Sequence, residues 1–121
     1  MGDIPSITRW LINDVAVSLN GARTAAGTIS GSVYIVNNQG VIIKQISHPE
    51  TSITSLAINS SGSKLIAGTA DGRVFAFNSQ GIMTWEVFIG GSVTSVALTP
   101  SGNKIAASSG NTVYLLSGDG P

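Results

Sequence analysis

The sequence predicts an all-β chain made of about three copies of one four-stranded antiparallel unit. Three observations predict it. Gly21, Gly62 and Gly102 each follow an alternating apolar run and precede a small-residue run, which sets a period of about 40 residues. The runs alternate with period two and are rich in Val, Ile, Tyr and Phe. Gly, Asn, Ser and Pro recur so often between them that no convincing helix fits.

In chain order, residues 7–12, carrying Thr8, Arg9, Trp10, Leu11 and Ile12, are a candidate outer strand with no unit of its own, because Trp10 precedes Val15 much as Trp85 precedes Val93. Residues 13–48 are the first repeat: Val15 to Leu19, Thr24 to Gly27, Val33 to Val36, and a short run from Val41 to Ile46. Residues 49–89 restate it as Ile53 to Ile58, Lys64 to Gly68, Val74 to Phe77 and Ile82 to Phe88. Residues 90–121 supply Val93 to Leu98, Lys104 to Ala107 and Thr112 to Leu116, then end on Asp119-Gly120-Pro121 where a fourth strand is expected. The whole of 1–121 reads as a single repeat domain whose last unit lacks its outer strand.

Turn chemistry fixes the reversals. Asp71-Gly72, Ser61-Gly62 and the stretch from Asn37 to Gly40 combine a residue that tolerates positive φ with side chains that hydrogen-bond locally. The second runs, Ala25-Ala26-Gly27, Ile66-Ala67-Gly68 and Ile105-Ala106-Ala107, are small where neighbouring sheets must approach closely, which assigns them to packing. Val15, Val17, Leu19, Ile53, Leu56, Ile58, Val93, Val96 and Leu98 are the expected contributors to the core between sheets.

A four-stranded repeat of roughly 40 to 45 residues is the signature of a β-propeller blade; a twisted sheet and a small sandwich are the alternatives. A propeller closes with about four to eight blades, so three leave edges and faces uncovered. The unmatched N-terminal strand and the missing last strand complement each other. The expectation is a homo-oligomer, preferably a dimer, in which two chains close a six-bladed ring with twofold symmetry. A piece of a longer propeller is the rival reading.

Asp71-Gly72-Arg73-Val74-Phe75-Ala76-Phe77-Asn78, with Gly81 and Trp85 following, resembles the repeat of quinoprotein-like propellers. The stretch from Ser92 to Ala107 is similar to the first two strands of divergent WD40-like repeats. The resemblance covers residues 9 to 120 and implies repeat architecture. The Trp-Asp ending of regular WD40 repeats is absent: the third strands end in Asn37, Asn78 and Ser117, and no histidine stands in the supporting position. No quinone-site carboxylate, amide or arginine can be placed on this chain, so the resemblance carries over no catalytic or cofactor residue.

Composition narrows the chemistry. Six Lys and Arg balance six Asp and Glu, leaving no basic footprint for nucleic acid. Arg9, Arg23, Lys44, Lys64, Arg73 and Lys104 are dispersed, with Lys64 and Lys104 at one repeat position. Cysteine is absent, which removes disulfides and thiolate metal sites. No apolar run is long enough for membrane insertion. A coat of 17 Ser, 10 Thr and 8 Asn slightly favours an extracellular, cell-surface or particle-associated setting. His48, the only histidine, reads as part of a loop between blades, and Asp14, Glu50, Asp71 and Glu86 are scattered single acids. Asn59-Ser60-Ser61 matches a glycosylation acceptor. Trp10 and Trp85 read either as repeat packing or as platforms for a sugar. The expected function is a noncatalytic module for protein interaction or assembly; the alternatives are a propeller that binds a glycan or small ligand and, third, an enzyme with its site at the central channel. No cofactor and no metal is expected.

Overall fold

The structure is a computed structural model that describes residues 11–47 and 50–120. Eleven strands make three antiparallel sheets among these residues. The first sheet runs β1 (Ile12–Val17), β2 (Arg23–Thr28), β3 (Ser32–Asn37) and β4 (Ile42–Ser47), each beside the next. The second repeats that order with β5 (Ile53–Ile58), β6 (Lys64–Thr69), β7 (Arg73–Asn78) and β8 (Met83–Phe88). The third has β9 (Ser95–Leu98), β10 (Lys104–Ser109) and β11 (Thr112–Ser117), with no described fourth strand.

The repeat extends to the irregularities. The β1–β2 ladder shifts register between Ile12 and Asp14, and β5–β6 shifts between Ile53 and Ser55. The β3–β4 ladder shifts between Ile35 and Val36, and β7–β8 between Ala76 and Phe77. The hairpins that follow β3 and β7 are also copies. The Asn37 Oδ1 accepts from the backbone N–H groups of Gln39 and Val41, and the Asn78 Oδ1 accepts from those of Gln80 and Ile82. Gly40 and Gly81 complete these turns at φ +79°, a region that costs glycine nothing. Local acceptors therefore hold the third strand's end in place of the absent Trp-Asp pair.

The sheets stack face to face, which identifies the arrangement as consecutive propeller blades. Ala25, Val33 and Ile35 of the first sheet meet Ile53, Leu56, Leu65, Phe75 and Phe77 of the second. Ile66, Val74 and Ala76 on the other face of the second meet Val93, Val96, Ile105 and Ala107 of the third. The small second strands set how close the sheets come. A Cβ added to Gly27 would lie 2.4 Å from Ile53 Cγ2, and one added to Gly68 would lie 2.4 Å from Val93 Cγ1.

Side-chain clips reinforce the stacking along the innermost strands. Asn13 donates to the Ile53 carbonyl at 2.9 Å, and Thr54, its counterpart, donates to the Val93 carbonyl. Asp14 Oδ2 accepts from the Leu56 N–H at 2.8 Å. At Thr94, the third copy of the clip, the hydroxyl instead contacts Ser108 of its own sheet.

Two expectations need correction. Val15, Val17 and Leu19 were expected in the core, yet Val15 and Val17 are each 62% exposed and Leu19 is 85% exposed. The repeat places Val15 with Leu56 and Val96, and Val17 with Ile58 and Leu98, but no described sheet lies against this part of the first blade. Leu19 sits in the β1–β2 turn. The expected outer strand at 7–12 also fails at its C-terminal end. Ile12 opens the innermost strand β1, opposite Thr28, and Leu11 accepts from the Ile29 N–H as Ser52 does from that of Ala70. The repeat equivalent of Val93 is thus Ile12, not Val15. Thr8, Arg9 and Trp10 lie outside the described residues.

Candidate functional site

The two junctions between blades are built from equivalent residues, and the exchanges between them create the candidate site. Between the first and second blades, Arg23 at the start of β2 reaches the Ser79 carbonyl through Nε at 3.4 Å. Ile35 on β3 and the stem of Lys44 on β4 cover Gly81: a Cβ there would lie 2.4 Å from Lys44 Cγ and 3.2 Å from Ile35 Cδ1. A cavity of ≈ 10 Å³ lies at this junction beside Arg23, Ile35, Leu65 and Ser79.

Between the second and third blades, Lys64 replaces Arg23, Ala76 replaces Ile35, Trp85 replaces Lys44 and Gly120 replaces Gly81. Lys64 Nζ donates to the Gly102 carbonyl at 3.2 Å and lies 3.5 Å from the Asp119 carboxylate. The Trp85 indole N–H donates to the Gly118 carbonyl at 3.2 Å, and the ring lies against Gly120, where a Cβ would sit 3.4 Å from Cγ and Cδ1. With alanine at position 76, a cavity of ≈ 200 Å³ opens between Trp85, Lys64, Asn78, Thr84 and Asp119. Its lining sets Ala76 and Trp85 beside Asn78, Thr84 and one charge of each sign, Lys64 and Asp119, 3.5 Å apart.

Trp85 therefore stands at a junction between blades, half-buried, with its N–H already engaged. Trp10, the other aromatic singled out, is outside the described residues, as is His48. The structure does not gather the scattered acids. Asp14 is spent on the backbone of the next blade, Asp71 accepts from Thr69 Oγ1 and lies 3.6 Å from Arg73, and Glu50 and Glu86 are exposed. Among the described residues no three His, Cys, Asp or Glu side chains cluster to hold a metal, and no helix is long and apolar enough to cross a membrane. The glycosylation reading of Asn59 is overturned: the side chain is 2% exposed, its Nδ2 donates to Ser63 Oγ, and its Oδ1 accepts from the Lys64 N–H.

Ala76 carries no signal within its own strand. Aligning the three copies shows it: Ile35, Ala76 and Leu115 share one position, and the small member marks the open junction.

No curated protein matches the chain. Solved structures match its fold. The β-propeller domain of Cps50 (Swd1) from Myceliophteria thermophila gives a TM-score of 0.84 at 22% identity over 95% of this chain. The RRP9 WD40 repeats give 0.84 at 13% identity, also over 95%. Chaetomium thermophilum Sqt1, solved bound to the N-terminus of the ribosomal protein L10, gives 0.79 at 22% identity over 90%. This chain spans 38%, 38% and 32% of those chains, respectively. The family model described as "WD domain, G-beta repeat" matches residues 40–78, which run from the turn before β4 through β7, and residues 84–117, from within β8 through β11. With more than half of its length in two such repeats, this protein belongs to the WD40 repeat family.

Proposed function

We infer that the chain is an interaction and assembly module that completes a propeller through its two unmatched ends, a second copy supplying the missing blades. The observation that carries this reading is the complementarity of the ends. Val113 and Leu115 on β11 are 67% and 82% exposed, whereas their counterparts Val33, Ile35, Val74 and Ala76 are buried against the following blade. At the other end, Ile12 and Val15 are exposed, whereas Ile53 and Val93, which match Ile12, and Leu56 and Val96, which match Val15, are buried against the preceding blade. Further out on that first face, Ala26, Tyr34 and Val36 are buried, so the inner strand is the part left to dock. The chain thus offers the exposed face of β11 at one end and the inner strand β1 at the other.

Head-to-tail contacts of this kind close into rings when the rotation permits, and two chains of three blades fall within the usual number for a propeller. A rigid ring presents its connecting loops as binding rims, and Sqt1, a relative in fold, was solved with a protein segment bound. The reading therefore extends to protein partners.

Light scattering coupled to size-exclusion chromatography tests the assembly. A single species with the mass of two chains supports it. A monodisperse single-chain mass across the accessible concentration range overturns it.

A further inference from the structure

We propose that the cavity between the second and third blades is a socket for one branched aliphatic side chain of a partner polypeptide. This rests on the interaction reading above and names the contact by which that partner is held. The chain itself shows what fits. At the equivalent place between the first two blades, the Ile35 side chain reaches the turn at Gly81, where an added Cβ would lie 3.2 Å from Ile35 Cδ1. Ala76 withholds that side chain from the second junction, where ≈ 200 Å³ stays open beneath Trp85.

Size and charge agree on the class of occupant. The volume lies below the roughly 300–1,000 Å³ of pockets that take a whole drug-sized ligand, so it suits a side chain and the backbone carrying it. Lys64 and Asp119 lie 3.5 Å apart, so the rim favours no net charge. The Trp85 N–H is committed to Gly118, which removes the indole donor that a polar ligand would use. An aliphatic anchor buries its methyl groups against Ala76 and the indole, while Asn78 Oδ1 is held by the Gln80 and Ile82 N–H groups and the Thr84 hydroxyl by the Ala76 carbonyl. Single anchors seated in such pockets commonly dominate the energy of an interface.

The test uses the full chain and the Ala76→Ile variant, which installs in the second junction the residue that the first already accommodates. A display library of random linear peptides is selected on the wild-type protein, and enriched peptides are titrated against both proteins. The expected result is a shared Ile, Leu or Val whose replacement by Ala weakens binding by about tenfold or more, with a similar loss in Ala76→Ile at unchanged melting temperature. Peptides that bind both proteins equally overturn the socket and leave the interaction module standing. Should Ala76→Ile fail to fold, Ala76→Val serves as the filling variant. If no peptide is enriched, the interaction reading loses its support. The socket is then decided by titrating N-acetyl-isoleucine amide while following the indole N–H resonance of Trp85. A saturable shift in the wild type that Ala76→Ile abolishes retains the socket, and its absence overturns it.

Discussion

Gly27 and Gly68 show how single residues set the spacing of this repeat. Each lies under the first apolar residue of the next blade, Ile53 or Val93, with no room for a methyl group. Overpacking in a close-packed interior commonly costs about 1–3 kcal/mol. Gly68→Ala is therefore expected to lower the free energy of unfolding by about that amount, read as a lower urea midpoint at unchanged slope. Asn78 works differently, because its side chain substitutes for a backbone partner in the turn after β7. Asn78→Ala is expected to cost about 1 kcal/mol, and Asn78→Asp, which keeps the acceptor, less than half of that. Equal losses in the two variants would show that the turn does not depend on the acceptor. These residues were legible in the sequence as turn and close-packing signals. The partners of Gly27 and Gly68, about one strand pair away in the chain, were not.

Among the strands, β11 is the informative one. Its counterparts β3 and β7 are paired on both sides, with β2 and β4 or with β6 and β8, whereas β11 pairs only with β10 among the described residues. The family repeats explain why. Each matched repeat begins at or within the outer strand of one blade and ends on the third strand of the next, so a sequence repeat ties two blades together. Leu115→Asp alters an exposed position and is expected to change the unfolding free energy of a single chain by less than about 0.5 kcal/mol. If the assembly forms through this face, the same change releases single chains, seen as a fall in mass by light scattering. A stable dimer in Leu115→Asp would place the contact elsewhere. The sequence counted the strands of each unit correctly. It misplaced the phase at the N-terminus, because Trp10 and Trp85 invited an alignment of Val15 with Val93 that strand pairing replaces with Ile12.

At the scale of the molecule, a stack of sheets behaves as a one-dimensional array in which each unit is held by its neighbours. Among the described residues, the second blade has a sheet packed against each face, and the first and third blades have a sheet against one face each. Hydrogen exchange is accordingly expected to be slowest in β6 and β7 and faster in β1 and β11. A dimer that closes through the ends predicts more: diluting it to single chains raises exchange in β1 and β11 first. Uniform protection at every concentration would argue against the end-to-end contact.

The sequence by itself determined the period, the strands and the turns, because these depend on residues a few positions apart. The tertiary structure alone decided which apolar residues are buried. Val15 and Leu56 are equivalent in sequence, yet one is exposed and the other enclosed, since burial belongs to the neighbouring sheet and not to the residue. It also decided where a cavity stands. Ala76 is an ordinary small residue in its strand, and it becomes an opening only because Trp85, Lys64 and the turn at Gly118 converge around it from two blades.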